Sequence, residues 1–81
     1  MTTLRNTSKK KDLLTRLARV EGQLRGVRKL MDEDADCEKI AQQMAAARKA
    51  LDKTFFSMVG CMVEDKHLPI DKITQMLVKL A

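Results

Sequence analysis

Residues 9 to 31 read KKKDLLTRLARVEGQLRGVRKLM, and within them Leu13, Leu17, Val20, Leu24, Val27 and Met31 recur at alternating steps of four and three. That spacing keeps apolar side chains on one side of a helix, so it predicts one long helix from about Lys9 to Met31. Working outward, residues 1 to 7 carry no period and read as a loose arm, with a helix cap expected at Thr7 or Ser8. On the other side, Asp32-Glu33-Asp34 breaks the pattern, and Asp34 or Asp36 can cap the next helix. This second long helix is expected from about Cys37 to Val63, with a seam of Cys37, Ala41, Met44, Ala47, Leu51, Phe55, Met58 and Met62. Glu64 to Pro69 reads as a loop, because the residue before a proline is pushed out of helical geometry. Pro69 then suits the first turn of a third, shorter helix with Ile70, Ile73, Leu77 and Leu80 on one face.

The composition agrees with an all-α protomer of two long helices and one short one. Of 81 residues only two are Phe and none is Trp or Tyr, so the core must come from aliphatic side chains, which suits helix packing. The length has room for one domain, 1–81, with no Gly/Ser linker or repeat dividing it. No stretch approaches the roughly 20 apolar residues of a membrane span, and no secretory signal is visible, which predicts a cytoplasmic protein. A helix of about 27 residues is about 40 Å long, and so short a chain cannot cover two full-length apolar seams by itself. Other copies are expected to complete them, giving an antiparallel helical dimer or a dimer-of-dimers tetramer. The alternative is a monomeric three-helix bundle.

The net charge of +5 favours a polyanionic partner. On a helical wheel Lys9, Arg16, Arg19 and Gln23 fall on one flank of the first seam, joined by Arg5 only if the helix extends back that far, and Arg48 of the second helix can add to that surface in an assembly. Guanidinium groups on a rigid helix neutralise phosphates. Since there are no aromatic stacking platforms, double-stranded DNA is the expected nucleic acid. The plain alternative for such a stripe is a solvated face.

Cys37 and Cys61 stand 24 positions apart, about 36 Å along one straight helix, and cannot share a metal or a disulfide within it. Two copies paired antiparallel about residue 49 would bring Cys37 of one toward Cys61 of the other, although 24 steps of about 100° leave Cys61 about 120° off the seam that holds Cys37, with Met62 closer to it. Cys37 is the more reactive candidate, because helix N-terminal N–H groups favour a thiolate, although Asp34, Asp36 and Glu38 oppose this. Inert thiols are the alternative. Catalysis has no support: His67 is the only histidine, and no nucleophile set, carboxylate pair or phosphate loop is present.

The run from Arg16 to Gly26, R-x-x-R-x-x-G-Q-x-x-G, resembles the opening signature of the CsoR/RcnR/FrmR repressors. Asp36-Cys37, with Ile40, Gln43, Met44, Ala46 and Arg48 after it, is similar to that family's second motif. The resemblance implies a three-helix protomer, a tetrameric assembly and repression of a nearby operon, with Arg16, Arg19 and Arg48 on the DNA-contacting surface. The helices are too long and the break at 32 to 36 too acidic for a helix-turn-helix, and the resemblance accounts for that as well.

The sensing positions depart from the family pattern. The metal sensors pair the cysteine matched by Cys37 with a His 25 positions later and a Cys or His four beyond, where this chain has Met62 and Lys66. Persulfide sensors place their second cysteine at the position of Lys66, so Cys61 is displaced. Formaldehyde sensors use the N-terminal amine, which Thr2 could present after loss of Met1, though they favour proline there. The expected effectors are, first, a thiol-directed signal (persulfide, disulfide formation or an aldehyde) at Cys37 with Cys61, and second, copper(I) on the soft donors Cys37, Cys61 and Met62. A repressor that has lost its sensing site is a third reading. A helical interaction module docking an acidic partner through its basic stripe is the competing class.

Overall fold

The computed structural model describes residues 3–65 and 67–81, and among them the secondary structure is three helices with no strand: α1 (Thr7–Asp32), α2 (Cys37–Glu64) and α3 (Ile70–Leu80). Helix α1 begins at Thr7, two residues before the expected start at Lys9. Its cap is Asn6 rather than Thr7 or Ser8: the extended Asn6 (φ −69°, ψ 109°) accepts the Lys9 N–H on Oδ1 at 3.0 Å. Asparagine is among the best residues at that position, and one helical turn is gained ahead of the first apolar residue.

The end of α1 comes from the same acidic cluster that breaks the sequence period. Asp34 adopts the left-handed conformation (φ 54°), which lets the Ala35 N–H reach the Leu30 carbonyl (3.0 Å) and the Asp34 N–H reach that of Met31 (3.1 Å). These two bonds form a Schellman motif, which satisfies the orphan carbonyls and reverses the chain. Asp36 then caps α2, accepting from the Glu38 and Lys39 N–H groups.

The short turn lays α2 antiparallel on α1. Lys9 at the start of α1 pairs with Glu64 at the end of α2, and Gly26 lies beside Gln43 nearer the turn. Helix α3 packs on α2 alone, burying Ile73, while Ile70 and Leu80 of its expected face remain exposed. No helix of the described residues is long and apolar enough to cross a membrane.

Both seams turn out rotated from the expected lines. On α1 the buried and half-buried side chains are Lys9, Leu13, Arg16, Val20, Gln23, Val27 and Leu30, again at steps of four and three. Leu13, Val20 and Val27 belong to the expected seam. Leu17, Leu24 and Met31 do not face α2 and stay exposed. On α2 the inward line runs through Ile40, Ala47, Ala50, Thr54, Ser57 and Cys61, whereas Met44, Leu51 and Phe55 lie off that line and are exposed, as is part of Met58. The physical reason is close approach. Ala47 (2% exposed) and Thr54 (5%) are small enough for the helices to lie close, and the Thr54 hydroxyl satisfies itself on the Ala50 carbonyl at 3.0 Å. The larger side chains fit only on the outside.

Candidate functional site

Helix α1 carries the basic positions, but they differ in their freedom. Arg19 is exposed. Arg16 lies at the edge of the α1–α2 seam, with its Nε donating to the Asp12 carboxylate one turn back at 3.0 Å. Arg48 is exposed on α2, next to the buried Ala47. Lys9 is half-buried and committed to Glu64, so it braces the open end of the hairpin. Gln23 is a seam residue: its Oε1 is buried and has no hydrogen-bond donor. Lys9 and Gln23 therefore do not stand on a free basic face, contrary to the expectation from the helical wheel, because the seam passes through both. Lys10, Lys11, Arg25 and Arg28 are exposed on the same helix and extend its positive charge beyond the one flank that the wheel singled out.

The two cysteines occupy opposite ends of α2. Cys37 is its first residue and is exposed. The Glu38 and Lys39 N–H groups beside it are already taken by the Asp36 carboxylate, so these backbone donors are not free for its sulfur. Cys61 is half-buried and sits at the far end, where the arm enters α1. Within a protomer Cys37 therefore cannot join Cys61 and Met62 on one ion. Among the described residues no three Cys, His, Asp or Glu side chains come together to hold a metal. Thr2, the candidate amine, lies outside the described residues, as does Lys66.

Around Cys61 the hairpin forms a cavity of about 330 Å³. Its walls are the arm residues 3–6 and Lys9, the α2 side chains Met58, Cys61, Met62 and Glu64, and Asp65 and His67 of the connecting turn. That turn is held by the Asp65 carboxylate, which accepts the His67 N–H at 2.8 Å. The arm, Met58 and His67 were missed as companions of Cys61. Met58, at a spacing of three before Cys61, was the one signal in the sequence. The contact with residues 3–6 exists only because the hairpin brings the chain back on itself.

The chain has relatives among known proteins. The family described as metal-sensitive transcriptional repressor matches residues 9–79. The chain is similar to the copper-sensing transcriptional repressor RicR of Mycobacterium tuberculosis (strain ATCC 25618 / H37Rv), at 34% identity over 62 residues, 76% of this chain and 59% of that protein. The chain thus matches less than two thirds of that relative's length. No solved structure matches it.

Proposed function

The chain belongs to the metal-sensitive transcriptional repressor family, and we propose that it represses transcription by binding double-stranded operator DNA as a homo-oligomer, releasing it when an effector acts at Cys37. In this reading it is a regulator and not an enzyme. The observation that carries it is the pair Arg16 and Arg19 on a 26-residue helix held rigid along its whole length by α2. Guanidinium groups spaced along one helix can meet phosphates, and each contact releases counterions. Arg48 adds to this surface once copies assemble.

The open apolar columns support assembly. Leu17, Leu24 and Met31 on α1 and Met44, Leu51 and Phe55 on α2 are all left partly exposed, a line too long to remain in water. If two α2 helices pair antiparallel about residue 49 through this outer column, Cys37 and Cys61 of the second copy come to the same level, but Cys61 stands on the face turned to α1. A thiol-directed signal then acts first at the exposed Cys37. Copper(I) is the second effector, favoured by the soft side chains around Cys61.

Fluorescence anisotropy of the reduced protein on DNA upstream of its own gene tests this reading. Binding should weaken as salt rises, fall on polysulfide treatment and return with reductant. Cys37→Ala should bind and not release; release by that variant refutes the role of Cys37. Joint replacement of Arg16 and Arg19 by Ala should remove operator affinity with the assembly intact. Undiminished binding would instead favour the interaction-module reading.

A further inference from the structure

The cavity of about 330 Å³ at the open end of the hairpin takes none of its walls from Cys37, Arg16, Arg19 or Arg48. Its lining divides by chemistry. Leu4, Met58, Cys61 and Met62 give it an apolar part, while Arg5, Lys9, Glu64, Asp65 and His67 bring charge of both signs and an imidazole. Some of the polar groups are already engaged. Lys9 and Glu64 neutralise each other, and the Asn6 Oδ1 is spent on the cap of α1. Arg5 and Asp65 are left, since neither takes part in an ion pair among the described residues. Arg5 offers N–H donors in a planar fork that matches a carboxylate. Asp65 receives the His67 N–H on Oδ1, and its second oxygen can accept from a cation.

We propose that this cavity binds a free α-amino acid with a medium-sized apolar side chain, its carboxylate on Arg5, its ammonium on Asp65 and its side chain against Leu4, Met58 and Met62. Size sets the scale of the ligand. Cavities for small organic molecules run from about 300 to 1,000 Å³, and this one stands at the small end of that range. Charge sets the class. A ligand filling the cavity strips water from both Arg5 and Asp65, and a charged group that loses water without gaining a partner is costly. A simple acid answers only Arg5, a simple amine only Asp65, and a hydrocarbon neither. A phosphate would meet the Asp65 and Glu64 carboxylates. A zwitterion answers both free charges at once, and its apolar side chain occupies the part walled by leucine and methionine. The proposal goes beyond the repressor reading and stands without it, because every group it uses belongs to one protomer.

Isothermal titration calorimetry of the full-length reduced protein, without DNA, tests this with L-leucine and L-methionine as probes. Each should bind wild type at one equivalent per protomer, with a dissociation constant at or below about 1 mM. On the same protein 4-methylpentanoate and 3-methylbutylamine, which keep the side chain and one charge each, should bind at least about tenfold more weakly than L-leucine. L-alanine, with both charges and almost no side chain, should lose a similar factor. Arg5→Ala and Asp65→Asn should each weaken L-leucine by at least about tenfold with helix content by circular dichroism unchanged, and Arg28→Ala should not weaken it. The three analogues read the site on wild type, so the outcome does not hang on how a variant folds. No saturable binding of either probe up to about 20 mM overturns the site. Equal binding of L-leucine and its acid or amine analogue also overturns it, as does binding that survives both Arg5→Ala and Asp65→Asn. Because no DNA is present, failure here leaves the repressor reading to its own anisotropy test.

Discussion

Gln23 offers the sharpest check on the rotated seam. Its side-chain Oε1 is buried on a helix that packs only against α2, and it has no donor, between the buried Val20 and Val27 one turn to each side. A buried acceptor left unpaired costs about 1–3 kcal/mol. Gln23→Met keeps side-chain length and helix propensity while removing that acceptor. Part of the gain is offset because the amide nitrogen also loses its interactions, so the low end of the range applies: about 1 kcal/mol of added stability. With a urea dependence of about 1–2 kcal/mol/M for a small protein, the unfolding midpoint should rise by roughly 0.5–1 M. The assay is urea unfolding by far-ultraviolet circular dichroism, at one fixed protomer concentration because assembly contributes to stability. Gln23→Glu should move the midpoint the other way, since a buried carboxylate has no partner there. A Gln23→Met midpoint that is unchanged or lower refutes the reasoning, because it would mean that Oε1 is satisfied or wet in the working assembly.

Two further substitutions test the geometry of the hairpin. Asp34 holds a left-handed φ of 54° in the turn that ends α1; Asp34→Gly relieves that conformation and should add about 0.5 kcal/mol, or roughly 2–4 °C in thermal midpoint, and a fall in the midpoint would contradict the turn. Ala47 is 2% exposed where α2 meets α1; Ala47→Leu should lower the urea midpoint through overpacking worth about 1–3 kcal/mol, and an unchanged midpoint would show that the helices are not in close contact there.

Much of the fold was legible because a step of four and three is hard to produce by accident over 20 residues. It located both long helices, and Asp36, Pro69 and the acidic break gave their ends to within a residue or two. The face was misjudged because hydrophobicity answers a different question from contact. The strongest apolar stripes contain Leu17, Leu24, Met44, Leu51 and Phe55, and these are the side chains the protomer leaves exposed. The side chains that α2 presents to α1 are small and partly polar: Ala47, Ala50, Thr54 and Ser57. If copies assemble as proposed, the large apolar residues suit the interface between them. Small residues suit the hairpin, where a tight turn already holds the helices together. One sequence shows the sum of the two patterns and not which partner each serves.

The site divides along the same line. Features carried by neighbours in the chain were readable, including the separation of Cys37 from Cys61 and the arginine spacing of α1. Features made by chain reversal were not: residues 3–6 meet Met58, Cys61 and His67 only because α2 returns to the start of α1. That reversal also joins the cavity to the start of α1. Lys9 holds Glu64 beside the cavity, and Asn6, which lines it, is also the residue whose side chain starts α1. Anything bound against Cys61 therefore presses on the cap and the first turn of a continuous helix. Arg16 and Arg19 lie two to three turns further along it, at about 1.5 Å per residue. If a ligand bound there shifted the start of this continuous helix, the arginines further along it would shift with it, which is the coupling that the proposed repressor reading requires.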